Sequence, residues 1–450
     1  MTLNNKNVVV IGTGKSGTAS ASLLDSEGAE VILFDANEKL NAEEISQKTP
    51  DGVHVVIGTL GKDIIEKTDL VVISPGVPVD SPMVLEFKNK NIPVIGEIEL
   101  AYQCAKGKVI AITGTNGKTT TTSLVGEIMK AYYESVFVVG NIGNPYTDVA
   151  LSTKEESIVV AEISSFQLET TYDFHPAVSA VLNITPDHLD RHHTMKTYID
   201  TKFHIADAQS EQDFCILNYE DEILRERAES LKPQVLFFSS KQKLSKGIYL
   251  TEDKYIVYND GSEEVKVCKT SDLTLLGTHN YENVMAAVLI AVSMGVPMDI
   301  IRKVCCTFKA VEHRIEYVCE KNGVKFYNDS KGTNPDAAIR GIMAMESPTL
   351  LIGGGYDKNA DFTEWIEAFN GKVKLLVLIG QTREKIQETA AKCGFDKTVL
   401  ADSLEEAVNI CYKNADSGDC ILLSPACASW GMFKSYEQRG RIFKDLANNL

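Results

Sequence analysis

A chain of 450 residues exceeds what one hydrophobic core organises, so two to four domains are expected. Its 62 Asp and Glu against 45 Lys and Arg leave a formal charge of −17, which disfavours nucleic acid and anionic membrane surfaces as partners. The ten cysteines contain no C-x-x-C pair, no apolar run reaches membrane-spanning length and MTLNNKNVVVIG has no signal-peptide layout, so a cytoplasmic, monomeric enzyme with reduced thiols is expected.

In chain order, β-branched runs recur at 8–11, 31–34, 54–57, 70–73 and 92–95, separated by helix-compatible stretches and Gly, Pro or Asp breaks. That rhythm predicts a parallel sheet with crossover helices, closing near Gly96. A second block opens with KVIAIT (108–113), and after Gly117 the residues Leu124, Val125, Ile128, Met129 and Tyr132 keep helical spacing. Strand-like runs follow at 157–163, 178–184 and 214–218, then a more polar stretch over 233–275 that predicts an antiparallel flank. An amphipathic helix is predicted over 280–297, ended by Gly295 and Pro297. The third block has runs at 324–330, 349–355, 374–380 and 420–426, again an open parallel sheet. The fold class expected is therefore α/β in three domains. These are a Rossmann-like sheet (1–96), a P-loop NTPase-like domain with flanking antiparallel strands (97–310) and a second Rossmann-like sheet (311–450).

Two glycine loops follow strands. Gly12-x-Gly14-x-x-Gly17 opens a helix, with Asp35 ending the next strand, an arrangement that lets backbone N–H groups approach a diphosphate while the carboxylate reaches a sugar or base. It does not say which nucleotide. Gly114-Thr115-Asn116-Gly117-Lys118-Thr119 is a shortened phosphate loop, because Ile112 stands where the usual form has its first glycine. Lys118 can still reach β- and γ-phosphates and the Thr119 hydroxyl can ligate Mg²⁺. Glu162, at the end of SIVVAEI, can hold magnesium or cap the following turn. NITPDHLDRHH (183–193) suggests zinc by composition, but its spacing fits a polar active-site loop better, with His188 foremost. Lys202 lies in a helical stretch, and spacing alone makes it an exposed helix lysine.

GTGKSG, SPGVP (74–78), GTNGKTT, GNIG (140–143), EISSFQLE (162–169), LNITPDHLDRH (182–192), GTHNYEN (277–283), HRIE (313–316), NDSKGTN (328–334), GGGYDKNADF (353–362) and LLSPACASWGMFKSYEQRG (422–440) occur in this order. Together they resemble the Mur ligases, ATP-dependent enzymes that assemble the stem peptide of bacterial cell-wall precursors, over essentially the whole chain. The DNPR signature of the sibling that adds a diamino acid is absent.

The resemblance implies two nucleotides and an ATP-dependent, acyl-phosphate coupling of D-glutamate to UDP-N-acetylmuramoyl-L-alanine, a step of peptidoglycan synthesis and hence of cell shape and division. It places Lys15, Ser16, Gly17, Asp35, Asn37 and Gly76 at the uridine diphosphate. ATP falls to Gly114, Thr115, Asn116, Gly117, Lys118, Thr119 and Thr120 with Asn280 and Asn283, and Arg314 and Asp329 meet its phosphates and ribose. Thr119 and Glu162 would hold one magnesium, and Lys202, as a carbamate, a second. Asn141 and His188 would face the substrate carboxylate and metal, and His188 would act as a base or only as an orienting group. D-Glutamate would meet Lys331, Thr333, Lys358, Ser429 and Tyr436, although Trp430 and Tyr436 stand where leucine and phenylalanine are common. The alternatives are a folate polyglutamate-type ligase, a nicotinamide-dependent dehydrogenase using only the first loop, and a non-catalytic nucleotide-binding regulator.

Overall fold

The computed structural model describes residues 3–309 and 312–450 and contains three sheets. The first has five strands, in the order Val53–Ile57, Glu30–Asp35, Asn7–Ile11, Leu70–Ile73, Val94–Gly96, all parallel. Val8, Val9, Val10 and Ile11 are all buried because crossover helices cover both faces, which explains a continuous apolar run where a half-exposed strand would alternate. Chain order reverses on either side of Asn7–Ile11. The Gly12 loop and the Ser74–Val77 loop therefore leave adjacent strand ends and open a crevice between them.

The nine-stranded second sheet runs Glu264–Lys269, Tyr255–Asn259, Gly247–Leu250, Gln234–Ser239, Phe214–Asn218, Val178–Val181, Lys108–Thr113, Ile158–Glu162, Val136–Gly140. The expected antiparallel flank is narrower than 233–275. Gln234–Ser239 pairs parallel with both neighbours, and only Tyr255–Asn259 pairs antiparallel, once on each side. Asp260–Gly261 supplies a tight turn for one of those hairpins, with Gly261 at φ +102. The edge strand Val136–Gly140 was not anticipated; its half-buried VFVVG is too short to declare itself beside the preceding helix. The helix predicted over 280–297 is Thr278–Ser293, with a separate helix Met298–Thr307 beyond Pro297. It is not amphipathic in its centre. Residues 284–291 are all fully buried, so neighbours surround it on every side.

The third sheet has six strands, Glu316–Lys321, Val324–Asn328, Cys420–Leu423, Thr349–Gly353, Val373–Leu378 and Thr398–Leu400. All pairs are parallel except the first, where an Asn322–Gly323 turn with both residues at positive φ folds an antiparallel edge strand back. The wholly parallel sheet expected here is corrected at that edge.

The chain divides into two compact units. One runs through Thr270 and takes in Glu282–Cys306; the other comprises Ser271–Tyr281 and Thr307–Leu450. Within the first unit one apolar cluster includes Val10 and Leu33 of the first sheet together with Val159 and Val181 of the second, bridged by Ile98, Leu100 and Ala101 of the helix Glu97–Cys104. The second unit has two clusters, one on each face of its sheet. The domain boundary expected at 310/311 lies outside the described residues.

Candidate active site

The first cleft is built by close backbone approach. Gly12 sits at φ +102, and a Cβ on Gly17 would lie 1.7 Å from the Gly12 carbonyl oxygen, so the helix Lys15–Ser26 can start against the strand end only with glycine there. Asp35 fastens the loop: its Oδ2 accepts from the Thr13 N–H (3.1 Å) and hydroxyl (2.9 Å), and its Oδ1 from the Asn37 N–H (3.0 Å). The resulting cleft of ≈ 690 Å³ is lined by Lys15, Ser16, Asp35 and Gly76, by Asn141 just after the strand Val136–Gly140 and by Gln167 of the helix Ser165–Leu168. Two expected residues stand outside its lining. Gly17 is a packing position and Asn37 is exposed beyond the Asp35 turn. Gln167 was missed as a site residue, although its capping box with Ser164 is readable as S-x-x-Q.

The second loop joins the strand Lys108–Thr113 to the helix Lys118–Lys130. Gly117 is at φ +87, and a Cβ there would lie 2.2 Å from Asn283 Oδ1. Asn183 holds the loop open. Its Oδ1 accepts from the Asn116 N–H (2.8 Å), its Nδ2 donates to the Asn116 carbonyl (3.0 Å) and its own carbonyl accepts from the Thr115 N–H (2.9 Å). That role was not read from the sequence, where Asn183 looks like any polar residue after a strand. Lys118 Nζ donates to the carbonyls of Gly114 (2.8 Å) and Thr115 (2.9 Å), so its charge spans the turn. Thr119 and Thr120 are buried in the first helical turn, where N–H groups and the helix dipole favour an anion. Of the two expected asparagines, Asn283 contacts the loop and accepts from the Thr121 hydroxyl at 3.3 Å. Asn280 is buried, and its Nδ2 donates to the Leu276 carbonyl at 2.8 Å.

Glu162 ends the strand beside this loop, in register with Ile112. Its Oε1 accepts from Asn141 Nδ2 at 2.7 Å, while Oε2 is buried with no hydrogen-bond partner. The capping alternative fails, because Ser164 caps the next helix. A buried, half-satisfied carboxylate beside a phosphate-type loop suits a divalent cation. Lys202 is the largest departure from a bland expectation. It is not an exposed helix lysine but 2% exposed, on the helix Met195–Phe203, with Nζ donating to the Gly114 carbonyl at 3.0 Å. Burial, then the charge of Lys118, holds its ammonium well below the ordinary lysine range.

The three histidines of 188–193 separate. His188 is half-exposed, at φ +53, with its ring 4.8 Å from that of Phe166 and Nε2 3.5 Å from Asp187 Oδ2. His192 is buried against the Ser165 hydroxyl (2.9 Å), and burial followed by the neighbouring His188, Arg191 and Lys202 lowers it to about 4, leaving a neutral packing residue. His193 is exposed. Among the described residues the one His/Cys/Asp/Glu triplet within ligating reach is Glu312–His313–Glu316, not this loop, and Lys444 bonds both of its carboxylates.

In the C-terminal unit Asp329 is buried, accepts from the Ser424 hydroxyl at 2.7 Å and is pushed up to about 7 by burial, which the Ser424 bond and Arg314 oppose. Arg314 is half-buried with Nε lacking a partner. Lys331 Nζ lies 5.7 Å over the Tyr436 ring, and Lys358 lies 4.9 Å over that of Trp430, which is 54% exposed. Thr333 donates its N–H to the Lys331 carbonyl, and buried Ser429 accepts from the Phe433 N–H. Arg439, fully buried and not anticipated, binds the Ser330 hydroxyl (3.0 Å), the Ser330 carbonyl (2.8 Å) and the Cys427 carbonyl (3.2 Å), tying together the loops that follow two adjacent strands. No sequence spacing distinguishes such an arginine from a surface one.

A strand–loop–helix unit of phosphate-loop type, with a buried lysine and a buried carboxylate beside it, thus shares the first unit with a second strand–glycine-loop–helix crevice. Three family descriptions match in succession: Mur ligase MurD-like, N-terminal domain (6–96), Mur ligase middle domain (112–291) and Mur ligase, glutamate ligase domain (313–427). The chain belongs to the Mur ligase family. It is 58% identical over 451 residues, covering 100% of both chains, to UDP-N-acetylmuramoylalanine–D-glutamate ligase of Lachnospira eligens. It is 44% identical over 453 residues, again covering 100% of both, to the protein of that name from Clostridioides difficile. Among solved structures, the fold is similar to that of UDP-N-acetylmuramate-alanine ligase MurC from Thermotoga maritima (TM-score 0.61, 17% identity, 98% of this chain and 99% of that one). It is also similar to that of MurF ligase from Thermotoga maritima in complex with ADP (TM-score 0.60, 19% identity, 99% and 96%).

Proposed function

We propose that this protein uses ATP to join D-glutamate to UDP-N-acetylmuramoyl-L-alanine in peptidoglycan precursor synthesis. The observation that carries the reading is the 58% identity over the full length to a ligase of that name. The two-ligand cleft geometry of the first unit agrees with it. The UDP moiety is assigned to the cleft of Lys15, Ser16, Asp35 and Gly76. The C-terminal unit, with Lys331, Thr333, Lys358, Ser429 and Tyr436, is assigned to D-glutamate. Domain limits at 96 and 310, a monomeric state and a cytoplasmic location complete the reading; no helix among the described residues is long and apolar enough to cross a membrane.

A carboxylate is a poor electrophile, and phosphorylation to an acyl phosphate makes it reactive towards an amine. Bringing a carboxylate within 4 Å of one phosphate charge costs about 4 kcal/mol at an effective dielectric near 20. Lys118 offsets part of this across the loop, and the orphan Oε2 of Glu162 with Thr119 is assigned to a magnesium ion that offsets more. Lys202 is assigned to a second ion as its carbamate. Its amine, whose protonated form burial disfavours, adds through Nζ to the carbon of CO₂, forming an N–C bond and releasing a proton, and the product is an anionic ligand. His188, half-exposed with its Nε2 3.5 Å from Asp187 Oδ2, is assigned to orient the substrate carboxylate or take the amine's proton. Phosphate release by the purified protein, with UDP-N-acetylmuramoyl-L-alanine and each amino acid in both enantiomers, tests the reading. Release with D-glutamate is expected, and release with another amino acid instead overturns it.

A further inference from the structure

Glu97 and Glu99 stand two residues apart on the helix Glu97–Cys104, each no more than 1% exposed, yet their surroundings differ. Glu99 accepts the backbone N–H groups of Tyr172 (2.8 Å), Asp173 (3.1 Å) and Phe174 (3.2 Å) and the Gln103 amide (2.6 Å), so both of its oxygens are satisfied. It pins the chain after the helix Ser165–Leu168. Glu97 has one bond, from Gln167 Nε2 to its Oε1 at 2.7 Å, and its Oε2 is buried without a partner. Burial pushes it up to about 7; the Gln167 bond opposes this and the charge of Asp148 adds to it. A group so costly to bury is not explained by packing.

Its partner lies at the substrate cleft. Gln167 Oε1 accepts from the Ser164 N–H (2.8 Å) and hydroxyl (2.9 Å), which settles which way the amide faces and turns Nε2 to Glu97. One Nε2 hydrogen remains, and Gln167 lines the cleft shared with Lys15, Asp35, Gly76 and Asn141. We propose that Glu97 is a positioning residue of that cleft: it holds Gln167 Nε2 so that the second hydrogen is presented to an oxygen acceptor, carbonyl or carboxylate, of the UDP-linked substrate. The inference rests on the ligase reading for the identity of the occupant. Either protonation state of Glu97 serves, because a proton on Oε2 leaves Oε1 an acceptor.

Calorimetric binding of UDP-N-acetylmuramoyl-L-alanine and, separately, of Mg-ADP to the full chain tests it, with Glu97→Gln, Glu97→Met, Gln167→Met and the Glu97→Met/Gln167→Met pair. Glu97→Met should weaken the UDP ligand about tenfold. Glu97→Gln, whose amide oxygen still accepts, should stay within about threefold, and the double variant should be no weaker than Gln167→Met alone. Mg-ADP affinity should move less than about twofold throughout. Unchanged binding in Glu97→Met, or losses that multiply in the double variant, overturns the proposal. Failure of the unaltered protein to bind the UDP ligand overturns the ligase reading instead. If Glu97→Met does not fold, glutamine-selective ¹⁵N spectra decide. The Gln167 side-chain amide signal, assigned with Gln167→Met, should shift on addition of UDP-N-acetylmuramoyl-L-alanine in the parent chain and in Glu97→Gln. A Gln167 signal that does not respond to that ligand in the parent chain overturns the proposal.

Discussion

Two lysines share one carbonyl oxygen, that of Gly114, and their fates differ with their surroundings. Lys118 leads the phosphate loop, and Lys118→Ala is expected to cut kcat/KM by roughly 10²–10³-fold, as loss of a charge-stabilising donor does; near-normal turnover would contradict the loop assignment. Lys202 is buried, and Lys202→Ala should lose activity that small carboxylates such as formate or acetate partly restore, read as turnover against added carboxylate. Its lowered affinity for protons also sets a sign for stability. The unfolded chain holds the proton up to a pH of about 10.4 while the folded chain releases it earlier, so this residue destabilises the fold most at low pH and the penalty fades as pH rises. In CO₂-free buffer the gain in unfolding free energy of Lys202→Met over the parent should therefore be larger at pH 7 than at pH 9.5, by denaturant titration.

The strand–glycine-loop–helix units are local constructions, and their backbone demands can be tested as such. Gly117→Ala puts an L residue at φ +87 and a methyl group 2.2 Å from Asn283 Oδ1. About 2 kcal/mol of destabilisation is expected from the backbone alone, with weaker Mg-ADP binding because the turn must open to relieve the overlap. Thermal unfolding with and without nucleotide measures both. Elements with strong local signals were legible in the sequence: the buried parallel strands, the helix after Gly117 and the helix that carries Lys202. Val136–Gly140 and Glu316–Lys321 were not, because an edge strand gains its identity from the neighbour it pairs with. The centre of Thr278–Ser293 was misread as amphipathic for a related reason: a helix enclosed on all sides has no polar face to display.

Over the whole molecule, the first two sheets share an apolar cluster while the third has its own. Calorimetry should resolve two unfolding transitions, and Mg-ADP should raise the one belonging to the first unit, which holds the Lys118 loop. A single transition at all nucleotide concentrations would count against independent units. The sequence by itself determined the α/β class, the two glycine loops, the order of the blocks and the residue types able to meet phosphate, because these depend on local backbone geometry and on spacing along the chain. Only the tertiary structure decided that Lys202 is buried, that Glu162 keeps an orphan oxygen, that Asn183 braces the loop and that Gln167 with Glu97 borders the cleft. The physical reason is that desolvation and hydrogen-bond partnership are set by groups distant in sequence, and no local pattern records them.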